Sequence, residues 1–235
     1  MTEEIVKAES TSLARPSFIP VQDFRGAENI SKDDIQMPRI GLAQALSPQI
    51  EESDPKHIPG LGKGDMFNNL TQTVYGKELI FTVIRSDKPR GIEFHPLASG
   101  GGIKDFNVPL DDPRMQFGPN GEVPIATKFY DYVVMLLPSR EIVALSMKGS
   151  NLKTARQLNS MIKFRQAPSF SCKFKINSVV QKNSKGTFSV FTVSNDGWVD
   201  EDTYLYGEGV YEQIKDKTLD IEREPGVDEE LASDM

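Results

Sequence analysis

The sequence predicts a mainly β domain of the α+β class, an OB-fold-like antiparallel barrel of five to six strands with one helix between the later strands. Apolar and polar residues alternate in several short segments, which is typical of half-buried strands. One segment in the second half instead has apolar residues three or four positions apart, as in an amphipathic helix. Five or six such strands are predicted along the chain, and the helix lies between the third and fourth main strands. This is the order of an OB-type barrel, an architecture that binds oligonucleotides on one face.

Residues 1–36 are predicted to form a flexible N-terminal arm, because they are polar, mixed in charge and without a sustained hydrophobic period. The folded domain is predicted to cover residues 37–214. Its first half contains a turn-rich loop over residues 51–65. Within that loop, Gly60–Asp65 lacks the glycine and lysine spacing of a phosphate-binding loop, so a plain loop is the favoured interpretation.

Two strands in the first half are predicted to form a hairpin. Glu78–Arg85 and Gly91–Pro96 are rich in β-branched and aromatic residues, and Ser86–Arg90 supplies turn-forming residues between them. Residues 98–127 then form a long loop rich in glycine, proline and aspartate. Such loops are uncommon in compact domains and are often functional.

The stretch from Lys128 to Val193 contains the motif that predicts the fold. Its apolar positions repeat every second residue in the strands and every three to four residues in the helix. In chain order the predicted elements are the strands Phe129–Leu137 and Glu141–Ser146, the helix Leu152–Phe164, a strand over residues 170–177, and the strand Thr187–Val193.

The chain after Val193 is predicted to form the last elements of the domain. Tyr204–Lys217 has the composition of a short C-terminal helix. Trp198, the sole tryptophan, is interpreted as a packing residue at a domain edge in preference to a platform on which bases stack.

Charge is distributed unevenly along the chain. Residues 128–193 contain eleven basic and two acidic residues, a net charge of +9, in a chain whose net charge is −7. Residues 196–235 contain fourteen acidic and three basic residues, a net charge of −11. A folded, aromatic-rich basic module within an acidic protein indicates a surface that binds a polyanion. The acidic tail, residues 215–235, is either a solvated end or a segment that binds basic surfaces, its own or those of replication or recombination proteins.

A surface that holds single-stranded nucleic acid requires cations that follow the phosphates and flat rings on which bases stack. The basic module contains both cations and aromatic rings. At every candidate position the alternative is structural, since the tyrosines could be core residues and the lysines could keep a sheet edge soluble. The candidates are Lys153, Arg156 and Lys163 on one face of the helix, Lys173 and Lys175 on one face of a strand, and Tyr130 and Tyr132 on one face of another strand.

No residue pattern supports catalysis, a metal ion or a cofactor. His57 and His95 are the only histidines and lie far apart in sequence, and the aspartates of the long loop lack the spacing of a calcium loop. Cys172 is expected in the core, which fits a reducing compartment. No apolar N-terminal run is present, and Val133–Leu137, the longest apolar run, is too short to span a bilayer. We therefore expect a cytoplasmic, non-enzymatic protein without a membrane partner.

Six short motifs stand out, at Met37–Ile40, Leu46–Pro48, Gly64–Asn68, Glu93–Pro96, Gly100–Gly102 and Ser146–Arg156. They resemble motifs of a group of bacteriophage single-stranded DNA-binding proteins from replication and recombination modules. The resemblance covers roughly residues 37–193 and implies an OB-like fold. Phe94 stands where the group has tryptophan. Position by position, the resemblance implies DNA contacts by Arg85, Phe94, Lys148, Lys153 and Arg156.

The leading hypothesis is a non-catalytic protein that binds single-stranded DNA without sequence preference in phage DNA replication or recombination, with homo-oligomers possible. The acidic C-terminus would recruit replication or recombination proteins, and acidic C-termini are common in phage and bacterial single-strand binders. The alternative hypothesis is a phage virion structural or assembly protein whose charged module and tails contact neighbouring subunits.

Overall fold

The computed structural model of the chain describes residues 26, 29, 36–96, 101–183 and 186–217. Most of the predicted N-terminal arm, and the acidic tail beyond Lys217, lie outside the described residues. The strands are β1 (Ile40–Leu42), β2 (Met66–Asn68), β3 (Val74–Gly76), β4 (Glu78–Ser86), β5 (Arg90–Phe94), β6 (Ile103–Val108), β7 (Ala126–Leu137), β8 (Ile142–Lys148), β9 (Cys172–Asn183) and β10 (Gly186–Trp198), and the α-helices are α1 (Leu152–Phe164) and α2 (Glu201–Ile214).

The mainly β prediction is confirmed, since the strands form two antiparallel sheets. The larger sheet has seven strands in the order β10-β9-β4-β7-β5-β6, with β8 on the free side of β7. The smaller sheet has the order β1-β2-β3. The order strand, strand, helix, strand, strand is also confirmed, by β7, β8, α1, β9 and β10. The helix predicted at the C-terminus is α2, which begins three residues earlier than expected.

The predicted hairpin between β4 and β5 is wrong. The two strands lie end to end along the same side of β7, where Ile80–Ser86 and Arg90–Glu93 both pair with it. Between them the Asp87 amide donates to the Asp131 carbonyl at 2.9 Å, and Pro89 has no amide hydrogen to continue the ladder. A run of turn-forming residues can mark a break in one strand as well as a reversal of the chain.

The long loop predicted over residues 98–127, called the excursion below, contains regular secondary structure. It contains β6, which pairs with β5, and a 3₁₀ helix over Pro113–Met115. Gly91 of β5 permits this helix to approach, because a Cβ atom there would lie 2.3 Å from the Met115 sulfur. The excursion therefore extends the sheet and packs on it.

The larger sheet does not close into a barrel in the part of the chain that the structure describes. Two of its edge strands, β8 and β10, are contacted by the segment before β1 and by side chains at the start of α1, while the third, β6, pairs with β5. The Phe191 amide of β10 donates to Asn151 Oδ1 at 2.8 Å, and Thr154 Oγ1 donates to the Phe191 carbonyl at 2.7 Å. On β8 the Ala144 amide donates to the Pro38 carbonyl at 2.7 Å. These contacts satisfy backbone groups on the free edges of β8 and β10.

The larger sheet is buried on its inner face and partly covered on its outer face. Its inner face packs against α1 and the small sheet, around Phe81, Tyr132, Phe174 and Leu158. Its outer face packs against α2, whose tyrosines contact a cluster centred on Phe170. Cys172 lies in the inner core, as expected. A ligand can therefore reach the exposed sides of the helices, the strand edges, the loops and the outer face along β9 and β10.

Candidate nucleic-acid interface

The exposed side of α1 carries a stripe of cations. Ala155 and Leu158 bury the opposite side of the helix in the inner core, so Lys153, Arg156 and Lys163 face solvent. At 1.5 Å and 100° per residue, the three lie within about 80° of arc and span about 15 Å along the axis. None of them makes an ion pair with another residue in the described ranges, so their charges are uncompensated there.

The C-terminal end of α1 adds aromatic rings to this stripe. Phe164 is 81% exposed, and the Arg165 guanidinium lies 4.4 Å from the ring centroid of Trp198, which is itself 56% exposed. The helix runs beside β10 from the Thr154–Phe191 contact at its start to this pair at its end. We call the set Lys153, Arg156, Lys163, Phe164, Arg165 and Trp198 the α1 surface.

Sequence reasoning did not single out Arg165 or Phe164, and it interpreted Trp198 as a packing residue. The exposure of Trp198 does not fit a packing role, because the ring belongs to none of the three buried clusters. A partial signal was available in the sequence, since Lys163-Phe164-Arg165 alternates cation and ring directly after the basic face of the helix.

The two β9 candidates lie on the opposite side of the sheet from α1. Phe174 and Ile176 of β9 point into the inner core, so Lys173 and Lys175 point outward. Lys173 lies 3.4 Å from Asp196, and Lys175 lies 3.0 Å from Glu78, whose carboxylate raises the pKa of the lysine. Both charges are therefore partly neutralised within the fold.

Lys148 and Phe94 form a second cation–aromatic cluster, on the outer face. Lys148 follows Met147, which is buried in the inner core, so its side chain points away from α1. Its ammonium lies 5.7 Å from the Phe94 ring centroid and 5.4 Å from that of Phe129. Arg90 stacks over Phe106 at 3.9 Å on the neighbouring strands. This cluster is separate from the α1 surface.

Tyr132 and Arg85 have structural roles. Tyr132 is 1% exposed, and its hydroxyl donates to the Ala155 carbonyl at 3.2 Å and to Asn159 Oδ1 at 2.9 Å. Burial raises its pKa, so it stays neutral, and its ring offers no free face for stacking. Arg85 donates to the Ile214 carbonyl and, at 2.8 Å, to the Lys217 carbonyl, so it binds the C-terminal end of α2.

Tyr130 has an intermediate position. It shares the inner side of β7 with Tyr132, as predicted, and packs against the core while remaining half-buried. The Lys128 ammonium lies 5.1 Å from its ring centroid. Of the ten predicted positions, only Lys153, Arg156 and Lys163 therefore combine exposure with charges unpaired among the described residues.

Two aspartates of the long excursion, Asp105 and Asp112, form ion pairs with Arg114. Within residues 36–96, 101–183 and 186–217, no group of three or more histidine, cysteine, aspartate or glutamate side chains is arranged to hold a metal ion. Neither described helix has the length and apolar composition required to cross a membrane.

Comparison with known proteins gives one match. Residues 7–220 match the family model described as Pam3 phage gp34-like protein. No curated protein and no solved structure matches the chain.

Proposed function

The chain belongs to the Pam3 phage gp34-like protein family, and from this premise we propose that it is a non-catalytic protein that binds single-stranded DNA without sequence preference. It would act on DNA exposed in phage replication or recombination, in the host cytoplasm. The order of β7, β8, α1, β9 and β10 supports an OB-like domain, in which the segment before β1 and the start of α1 contact the outer edges of β8 and β10.

The observation that supports this proposal best is the α1 surface. Three exposed lysine and arginine side chains on one helical stripe can each contact a phosphate, and Arg165 supplies a fourth cation at the end of the stripe. Exposed rings at the same end supply the stacking that sequence-independent binding requires. The net charge of −7 does not oppose this arrangement, because residues 128–193 have a net charge of +9 and the acidic residues lie mostly outside them.

The test is fluorescence anisotropy of a labelled oligo-dT across a salt series. With four phosphate contacts, log K should fall linearly with log salt with a slope of about −3. Lys153→Glu together with Arg156→Glu should weaken binding by about tenfold or more and reduce the slope by about 1.4, because two contacts are lost. Reversal of Lys56 and Lys88, two exposed lysines outside α1, is the matched control. Equal affinities of the two double variants would place the DNA elsewhere.

A second candidate function, a virion structural or assembly protein, is favoured by exposed apolar side chains outside the α1 surface. Phe117 is 71%, Val123 46% and Ile125 67% exposed in the excursion between β6 and β7. Apolar groups in this number suit contact with a neighbouring subunit. The salt series separates the two functions, because a virion protein of this kind would not bind the oligonucleotide.

The acidic tail is proposed to recruit basic replication or recombination proteins. Residues 218–235 contain seven acidic residues and one basic residue, with apolar residues among them. Such a segment can bind a basic partner by charge and a few apolar contacts. The same charges can also compete with DNA for the basic surface of their own domain.

A further inference from the structure

Trp198 is a large apolar side chain that the fold holds outside every core. It is 56% exposed and belongs to none of the buried clusters. A tryptophan that serves packing buries most of its ring. The exposure of this side chain therefore requires an explanation other than stability.

The backbone on both sides of Trp198 is fixed. Trp198 pairs with Cys172 after an irregularity in the β9–β10 ladder, where Gly197 has a φ of +98°, a value that favours glycine. The next residue, Val199, donates its amide to the Ser171 carbonyl at 3.1 Å. A ring on so rigid a backbone can contact a ligand with little loss of conformational entropy.

Arg165 lies over one face of this ring. The central carbon of its guanidinium is 4.4 Å from the indole centroid, a cation–π distance, so the opposite face of the indole and the outer side of the guanidinium are the surfaces on which a base could stack. Guanidinium planes and indole rings both stack on nucleic-acid bases. The pair lies at the end of the cationic stripe of α1, so one strand whose phosphates follow Lys153, Arg156 and Lys163 would bring a base to Trp198.

We propose that Trp198, together with Arg165, is the base-stacking platform of this protein, and that its ligand is an unpaired nucleobase of a single strand bound along α1. This inference rests on the proposed function. Phosphate contacts along the helix would supply salt-dependent affinity, and the platform would supply affinity that depends on the presence of bases.

Because Trp198 is the sole tryptophan, the intrinsic fluorescence of the wild-type protein reports on this ring alone. Titration with oligo-dT should quench the emission in proportion to the bound fraction measured in parallel by anisotropy. Trp198→Ala should lower the affinity for oligo-dT by about 5- to 150-fold, and Trp198→Phe should retain most of it. Leu205→Ala, at an exposed side chain that is also 56% accessible but lies on α2, is the control.

A ligand without bases separates stacking from a structural role. For an abasic deoxyribose-phosphate strand of the same length, Trp198→Ala should bind as wild type does, whereas the Lys153/Arg156 double reversal should bind more weakly. The salt slope of Trp198→Ala should equal that of wild type, because no phosphate contact is lost. A loss of affinity for both ligands would show that the substitution perturbs the fold, and would overturn the platform.

Failure of this inference is distinguishable from failure of the proposed function. Binding of oligo-dT by anisotropy without any change in tryptophan emission would overturn the platform and leave single-strand binding in place. Absence of an anisotropy change at low salt would overturn the proposed function, and the platform with it. The emission readout needs no variant, so a poorly folded Trp198→Ala protein would not prevent the decision.

Discussion

At the scale of single residues, Arg114 shows how the fold uses charge for its own structure. Its guanidinium lies 2.7 Å from Glu93, 2.9 Å from Asp105 and 2.8 Å from Asp112. Its hydrogen bonds lower the pKa of Asp112 to about 2. The pKa of Glu93 is lowered by its hydrogen bonds to Lys104 and then to Arg114. Lys104 and Arg114 of the excursion thereby hold it against Glu93 of β5.

The pH dependence of stability follows from these shifts. The folded pKa values lie below the ordinary values of about 4, so the contribution is present above about pH 4 and is lost as the pH falls through the folded values, about 2 for Asp112. Arg114→Gln should lower the urea midpoint at pH 7 and make the decline between about pH 4 and pH 2 shallower than in wild type. Urea unfolding at a series of pH values between 2 and 7 measures the midpoint, with Lys88→Gln as the control. Parallel curves for wild type and Arg114→Gln would contradict the assignment.

At the scale of elements, α1 packs on the inner face of the larger sheet and exposes the proposed DNA surface at the same time. Its buried side belongs to the inner core, and Thr154 in its first turn donates to the Phe191 carbonyl on the free edge of β10. Asn151, just before the helix, uses its side chain to accept from the Phe191 amide, and makes no side-chain hydrogen bond to the first turn of α1. The orientation of the cationic stripe is therefore fixed by contacts on the opposite side of the helix.

Tyr132 of β7 tests whether the buried side of α1 contributes to stability separately from DNA binding on its exposed side. Tyr132→Phe removes the hydroxyl that donates to Ala155 and Asn159 of α1 while the ring remains in the core. We expect a loss of about 0.5–1.5 kcal/mol in the free energy of unfolding, because one buried hydrogen-bonding group is removed. Affinity for oligo-dT should remain unchanged, since the ring is buried. Denaturant unfolding measures the free energy of unfolding, and anisotropy measures the affinity for oligo-dT. A stable variant with weaker DNA binding would show that Tyr132 belongs to the DNA interface.

At the scale of the whole molecule, the basic residues divide between two sides of the larger sheet. The α1 surface lies on the side of the inner core, whereas Lys148, Lys173 and Lys175 point from the outer face, two of them toward acidic partners. The chain leaves the described domain on the outer side, where Arg85 binds the carbonyl of Lys217. The acidic tail therefore starts on the side of the sheet opposite to α1.

Deletion of Pro225–Met235 tests what the tail does to DNA binding. The segment contains four acidic residues and no basic residue, so it repels phosphate and competes for cations. We expect the truncated protein to bind oligo-dT as tightly as the full chain or more tightly, with any difference shrinking as salt screens the charges. Replacement of the four acidic residues by Asn and Gln at full length separates charge from length. A clear loss of affinity in both proteins would exclude masking by the tail.

Local patterns in the sequence determined the elements in the second half of the chain. Hydrophobic spacing predicted α1 at its observed bounds and the strands around it, because helix and sheet periodicity depend on which side chains face the core. The same spacing placed Lys153, Arg156 and Lys163 on the solvent side. These inferences needed no knowledge of distant contacts.

Only the tertiary structure decided how β4 and β5 align, how the sheet edges are covered and which candidates remain accessible. Arg85 binds the end of α2, 129 positions away in sequence, and Tyr132 is buried beneath a helix that follows it by more than twenty residues. Trp198 is exposed because its backbone is fixed by a neighbouring strand and its ring is left outside the core. Burial and pairing are properties of the assembled chain, and periodicity gives the side a residue faces without identifying what covers it.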